Sequence, residues 1–98
     1  MTAYLEPRAE GEYTVCGDLN WQSVTELWHR SQTLFRNRPP GCIDFSGVTR
    51  SDSTGVALLI EWLQLARRHD TSLRFVNIPS QMQAIIEVTD LEELLVGH

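Results

Sequence analysis

Apolar and polar positions follow two rhythms along this chain, a short one and a long one. Residues 13–16, Tyr-Thr-Val-Cys, form a β-branched and aromatic run that predicts a short strand. Tyr4 and Leu5 can open an edge strand before it, limited by Pro7 and Gly11. Gly17-Asp18 reads as a turn. The rhythm then lengthens. Trp21, Val24, Leu27, Trp28, Leu34 and Phe35 recur at helical spacing, which predicts a helix over 21–35 with Asn20 as its N-cap. Trp21, Trp28 and Phe35 fall one heptad apart, which places Trp21 and Trp28 in the core. Arg36-Asn37-Arg38 suits a helix C-terminus, and Pro39-Pro40-Gly41 forbids further helix.

Cys42-Ile43-Asp44-Phe45 reads as a short buried strand, followed by a polar loop over 46–51 that holds Gly47. The strongest helical pattern runs over 55–68 and closes at His69-Asp70-Thr71. Another strand is expected over 73–76, with Arg74 facing outward. A third helix over 80–88 follows Pro79, with Met82, Ile85 and Ile86 on one face. Leu91, Leu94, Leu95 and Val96 form an apolar tail expected to pack back on the sheet. Strands that alternate with helices imply βαβ crossovers. The expected fold is therefore α/β: one domain over 1–98, with a mixed, mainly parallel sheet of four to five strands. The N-terminal strands supply the antiparallel addition.

The 55–68 helix is apolar on too many sides. Val56, Leu59, Ile60, Leu63 and Ala66 form one stripe, and Leu58, Trp62 and Leu65 a second. Together they span roughly 220°, against the ~100° that a surface helix needs. Either the 21–35 helix covers the excess, or part of it, Trp62 above all, is an exposed anchor for a partner.

Composition narrows the function. The chain has 98 residues, 42% of them hydrophobic, and a formal net charge of −5. That charge disfavours nucleic acid and anionic lipid surfaces, which want clustered Lys and Arg. Cys16 and Cys42 lack paired spacing and read as two buried core thiols; His29, His69 and His98 are isolated. No metal and no cofactor is expected. There is no nucleotide-binding Gly-rich loop and no nucleophile elbow, so no catalytic residue is assigned. The first ten residues carry no apolar run, and the longest such run, 56–60, cannot span a bilayer. The expectation is an intracellular protein with no direct membrane insertion.

The chemistry concentrates at Asp52-Ser53-Thr54-Gly55, where a loop meets a helix N-terminus. Unpaired N–H groups and the positive dipole end favour an anion there. Capping explains one of these residues, but not three polar residues in a row followed by Gly. Phosphate on Ser53 or Thr54 would suit the dipole, while Asp52 would repel it.

Ile43-Asp44-Phe45-Ser46, then Asp52-Ser53-Thr54-Gly55-Val56, resembles the signature of the STAS domain family of sulfate transporters and anti-sigma factor antagonists. The likeness covers nearly the whole chain. Within that family the chain most resembles the MlaB branch, through its length, Leu27-Trp28, Cys42-Ile43-Asp44 and Gly55-Val56-Ala57-Leu58-Leu59. Val56 stands where Leu is usual, and the Ser53-Thr54 pair is closer to the anti-sigma antagonists.

The resemblance implies a non-enzymatic accessory subunit. It would bind and regulate the cytoplasmic MlaF-like ATPase of a phospholipid-trafficking ABC transporter. The protein would be cytoplasmic and peripheral to the inner membrane through that partner. The surface would comprise residues 46–54 and the following helix: Asp52, Ser53, Thr54, Gly55, Leu58, Trp62 and Leu65. The alternative is an anti-sigma factor antagonist switched by a partner kinase at Thr54, with Ser53 a neighbouring hydroxyl position.

Overall fold

The computed structural model describes residues 3–88. Four strands and three helices follow in the order β1 (Tyr4–Pro7), β2 (Glu12–Leu19), α1 (Trp21–Asn37), β3 (Cys42–Ser51), α2 (Ser53–Arg68), β4 (Arg74–Val76) and α3 (Ser80–Val88). The expected apolar tail, Leu91 to Val96, lies outside the described residues.

The strands form one sheet in the order β1-β2-β3-β4. A hairpin joins β1 to β2 antiparallel, and β2/β3 and β3/β4 run parallel. Parallel neighbours need a long crossover, which α1 and α2 supply. Both crossovers step one strand in the same direction, so their shared right-handedness puts both helices on one face. α2 packs against α1 on one side and α3 on the other.

That middle position explains the wide apolar arc of α2. The sheet lies beneath it and a helix flanks each side. Trp62 is therefore no exposed anchor: it is 1% exposed. Leu58 is equally buried, and Leu65 half-buried. The Trp62 ring sits edge-on to Phe35 of α1 at 5.9 Å and to Phe45 of β3 at 6.3 Å. Phe35 in turn meets Tyr13 at 5.0 Å, and Phe45 meets Phe75 at 5.9 Å. Each such pair is worth about 0.5–1.5 kcal/mol beyond its buried area. Val15, Leu19, Leu27, Leu59, Met82 and Ile86 complete the core between sheet and helices.

Both central strands are longer than their apolar runs. β2 continues through Gly17-Asp18 to Leu19 where a turn was expected, and β3 continues through the expected 46–51 loop to Ser51. Their register shifts twice, between Thr14 and Cys16 and between Gly17 and Asp18. Gly17 takes φ 104°, a left-handed conformation that suits glycine. At Gly47 a Cβ would lie 2.7 Å from both Cys16 Sγ and the Val15 carbonyl. β4 pairs only with Cys42 to Asp44, so β3 beyond that point is a sheet edge, where polar residues are at home.

Three smaller expectations also change. Cys16 and Cys42 are half-buried rather than core thiols. Trp28 is half-buried, and Trp21 is 68% exposed. A heptad drifts about 20° around a helix each repeat, which helps turn Trp21 away from the stripe that buries Phe35.

Candidate functional site

β2 and β3 end level with each other, Leu19 paired with Ser51. The amide of Asp52 donates to the Leu19 carbonyl at 3.2 Å. The chain thus enters α1 and α2 from neighbouring points on one sheet edge. Asn20 and Asp52 are the two N-caps.

Asn20 Oδ1 accepts from the amides of Gln22 and Ser23, both at 3.0 Å. Ser23 Oγ closes the capping box by accepting from the Asn20 amide. At α2, Asp52 Oδ1 accepts from the Thr54 amide at 2.8 Å and from the Thr54 hydroxyl. The Asp52 carboxylate satisfies an otherwise unpaired helix N–H and sits at the positive dipole end. Thr54 is half-buried with its hydroxyl folded onto the cap, whereas Ser53 is exposed.

Gly55 sets the depth of α2. A Cβ there would stand 2.1 Å from Ser51 Oγ and 3.2 Å from two Leu19 side-chain carbons. Only a residue without a side chain lets the helix start this close to the strand ends. Gln81, in the first turn of α3, accepts the Ser51 amide at 3.1 Å through its Oε1. Asp18 and Thr49 bond side chain to side chain between β2 and β3. The N-terminal turns of all three helices are therefore anchored at the same end of the sheet.

Asp44, near the start of β3, has a separate role. Asp44 Oδ1 accepts from the Ser46 amide at 2.8 Å and from Asn77 Nδ2 at 3.1 Å. Desolvation pushes the Asp44 carboxyl up. The bonds from Ser46 and Asn77, with the Arg8 charge beyond, outweigh it and hold the group below the ordinary carboxylate value.

Asp52, Ser53 and Thr54 thus come together at one surface, with Gly55 directly beneath. Leu58 and Trp62 lie in the core instead, and Leu65 lines a cleft toward the far end of α2. The pattern missed Trp21, which opens α1 on the same edge as Ser53. Its signal was its place directly after an N-cap. Among the described residues no group of three or more His, Cys, Asp or Glu is arranged to hold a metal. No helix among them is long and apolar enough to cross a membrane.

The family model for the MlaB STAS domain matches residues 4–97. The chain belongs to the MlaB-like STAS domain family. No curated protein sequence matches it. Among solved structures, this STAS domain is similar to the anti-sigma factor antagonist SpoIIAA in its unphosphorylated form. The TM-score is 0.72 at 15% identity, covering 97% of this chain and 86% of the other. That likeness shows a shared fold, with a four-stranded sheet carrying one antiparallel pair. In this STAS domain the Asp-Ser-Thr-Gly signature is the anchored first turn of α2.

Proposed function

We propose that this STAS domain is a non-enzymatic accessory subunit that binds and regulates the cytoplasmic ATPase of an Mla-type, phospholipid-trafficking ABC transporter. The observation that carries the reading is the exposed first turn of α2, held rigid in a chain of the MlaB-like family. Asp52 caps the turn, Gly55 seats it against Leu19 and Ser51, and Gln81 pins the adjacent strand end. A surface that is already ordered loses little entropy on binding. Ser53 and the polar edge of Asp52 and Thr54 supply hydrogen bonds, and Trp21 supplies the apolar area first sought from Trp62. Docking regulates the ATPase through contacts that differ between its conformations. The protein is cytoplasmic and reaches the inner membrane through its partner.

A second reading, an anti-sigma factor antagonist switched by a kinase, is favoured by the paired hydroxyls at a helix N-terminus. A phosphate adds about 1.5–2 negative charges. In this geometry Ser53 presents its hydroxyl to solvent, while the Thr54 hydroxyl is engaged with Asp52.

The test is affinity capture of the tagged protein from a detergent extract of native membranes, beside a Ser53→Glu/Thr54→Glu variant. Mass spectrometry identifies what is retained. An ABC ATPase and its permease, held by the wild type and lost by the variant, are the expected result. A soluble kinase or sigma regulator in their place would overturn the transporter reading and favour the switch.

A further inference from the structure

A cavity of about 510 Å³ opens between the C-terminal ends of α1 and α2, far from the α2 N-terminus. Its volume falls within the ~300–1,000 Å³ of small-molecule sites. Pro39 and Leu65 form its reachable apolar rim above the buried Phe35, Pro40 and Trp62, and Gln32, Arg36, His69 and Thr71 are its polar side chains. We infer that this cleft binds an amphipathic anion, a short acyl or aryl body carrying one carboxylate-like head. The inference does not depend on the transporter reading.

Charge selects the occupant. The chain carries a formal net charge of −5, yet among the described residues no carboxylate lines this cleft. Arg36 forms no ion pair among the described residues. Arg36 is exposed at the mouth of the cleft, so its guanidinium attracts an anion with the strength of a surface charge pair. The two helix C-termini oppose this with about half a negative charge each. Their last carbonyls are partly engaged, however: the Arg38 amide donates to Leu34, and the His69 amide to Leu65 and Ala66. Arg38 and Arg68 add positive charge at the same helix ends. The cationic side chains lining the cleft are few and the wall is mostly apolar, which fits a single anionic head on an apolar body better than a polyphosphate.

The three indole N–H groups make the test specific. Trp62 lines the cleft, while Trp21 is exposed at the opposite end of α1. The isotope-labelled protein is titrated with octanoate and, separately, with octan-1-ol, and the indole resonances are followed by NMR. Octanoate is expected to shift the Trp62 resonance saturably and leave Trp21 in place. Octan-1-ol should bind about two- to five-fold more weakly, the scale of one solvent-exposed charge pair. Arg36→Gln should reduce octanoate to the level of the alcohol. Leu65→Trp should abolish both while Trp21 and Trp28 keep their positions, showing an intact fold. Shifts that never saturate, that reach Trp21 equally, or that survive Arg36→Gln unchanged would overturn the inference.

Discussion

Trp62 donates its indole N–H to the hydroxyl of Ser31 at 2.9 Å, joining α2 to α1 inside the core. Ser31 is fully buried and passes its own proton to the Trp28 carbonyl at 2.7 Å. The pair is satisfied at both ends, so breaking it from one side is costly. Ser31→Ala leaves the indole N–H orphaned and should destabilise by about 1–3 kcal/mol. Trp62→Ala should cost about 3–5 kcal/mol, since it also opens a cavity. Trp62→Phe combined with Ser31→Ala should cost less than the two single changes summed. Urea unfolding of Ser31→Ala, Trp62→Ala, Trp62→Phe and the Trp62→Phe/Ser31→Ala double variant checks all three statements. A Trp62 variant that fails to bind its partner would fail through its fold.

Much of this arrangement was legible in the sequence, and the exceptions share a cause. Asn20 capping α1, α3 over Ser80–Val88 and the antiparallel N-terminal pair all follow from local signals. The lengths of β2 and β3 do not. Gly17 and Gly47 look like turn residues, yet Gly17 supplies a left-handed backbone conformation within β2 and Gly47 a close approach of β3 to Val15 and Cys16. The polar run of 46–51 looks like a loop because β4 stops pairing at Asp44 and leaves β3 as an edge. At the site, the polar Asp52-Ser53-Thr54 edge could be read directly. The burial of Leu58 and Trp62 could not, because it depends on α2 lying between two other helices.

Gly55 makes a sharper test of the site. The close approach to Ser51 Oγ and Leu19 means Gly55→Ala must either displace the Ser51 hydroxyl from its bond to the Asp52 carbonyl or push α2 off the strand ends. Overpacking of this kind costs about 1–3 kcal/mol. Ser51→Ala removes the nearest atom, so Gly55→Ala/Ser51→Ala should recover part of the loss. Equal midpoints for Gly55→Ala with and without Ser51→Ala in chemical denaturation would contradict the packing described.

Asp52 and Trp21 separate stability from docking. Asp52→Ala removes a cap and should lower stability by about 0.5–2 kcal/mol, while Asp52→Asn keeps most of it. Trp21 is exposed, so Trp21→Ala should change stability by no more than about 0.5 kcal/mol. If the α2 N-terminus and Trp21 form the docking surface, Trp21→Ala should still weaken capture of the ATPase. Thermal melts beside the same affinity capture give both readouts. Full retention of the ATPase by a stable Trp21→Ala protein would remove Trp21 from the surface.

Asp44 predicts a pH dependence with a definite sign. Its carboxyl is held below the ordinary value in the folded protein, so folding favours the charged form. The stability it contributes is fully present above the unfolded value of about 3.9. It is lost as pH falls through the lower folded value. Stability of the wild type should therefore fall more steeply than that of Asp44→Asn as pH drops below about 4. Asn77 adds a second handle. It sits at φ 56°, a left-handed conformation that Asn tolerates better than most residues, and donates to Asp44 at 3.1 Å. Asn77→Gly keeps the backbone easy but removes the donor, so it should raise the Asp44 titration midpoint toward the ordinary value. Carboxyl NMR titration of wild type and Asn77→Gly measures this directly. An unchanged midpoint would mean that the Ser46 amide and the Arg8 charge hold the carboxylate down without Asn77.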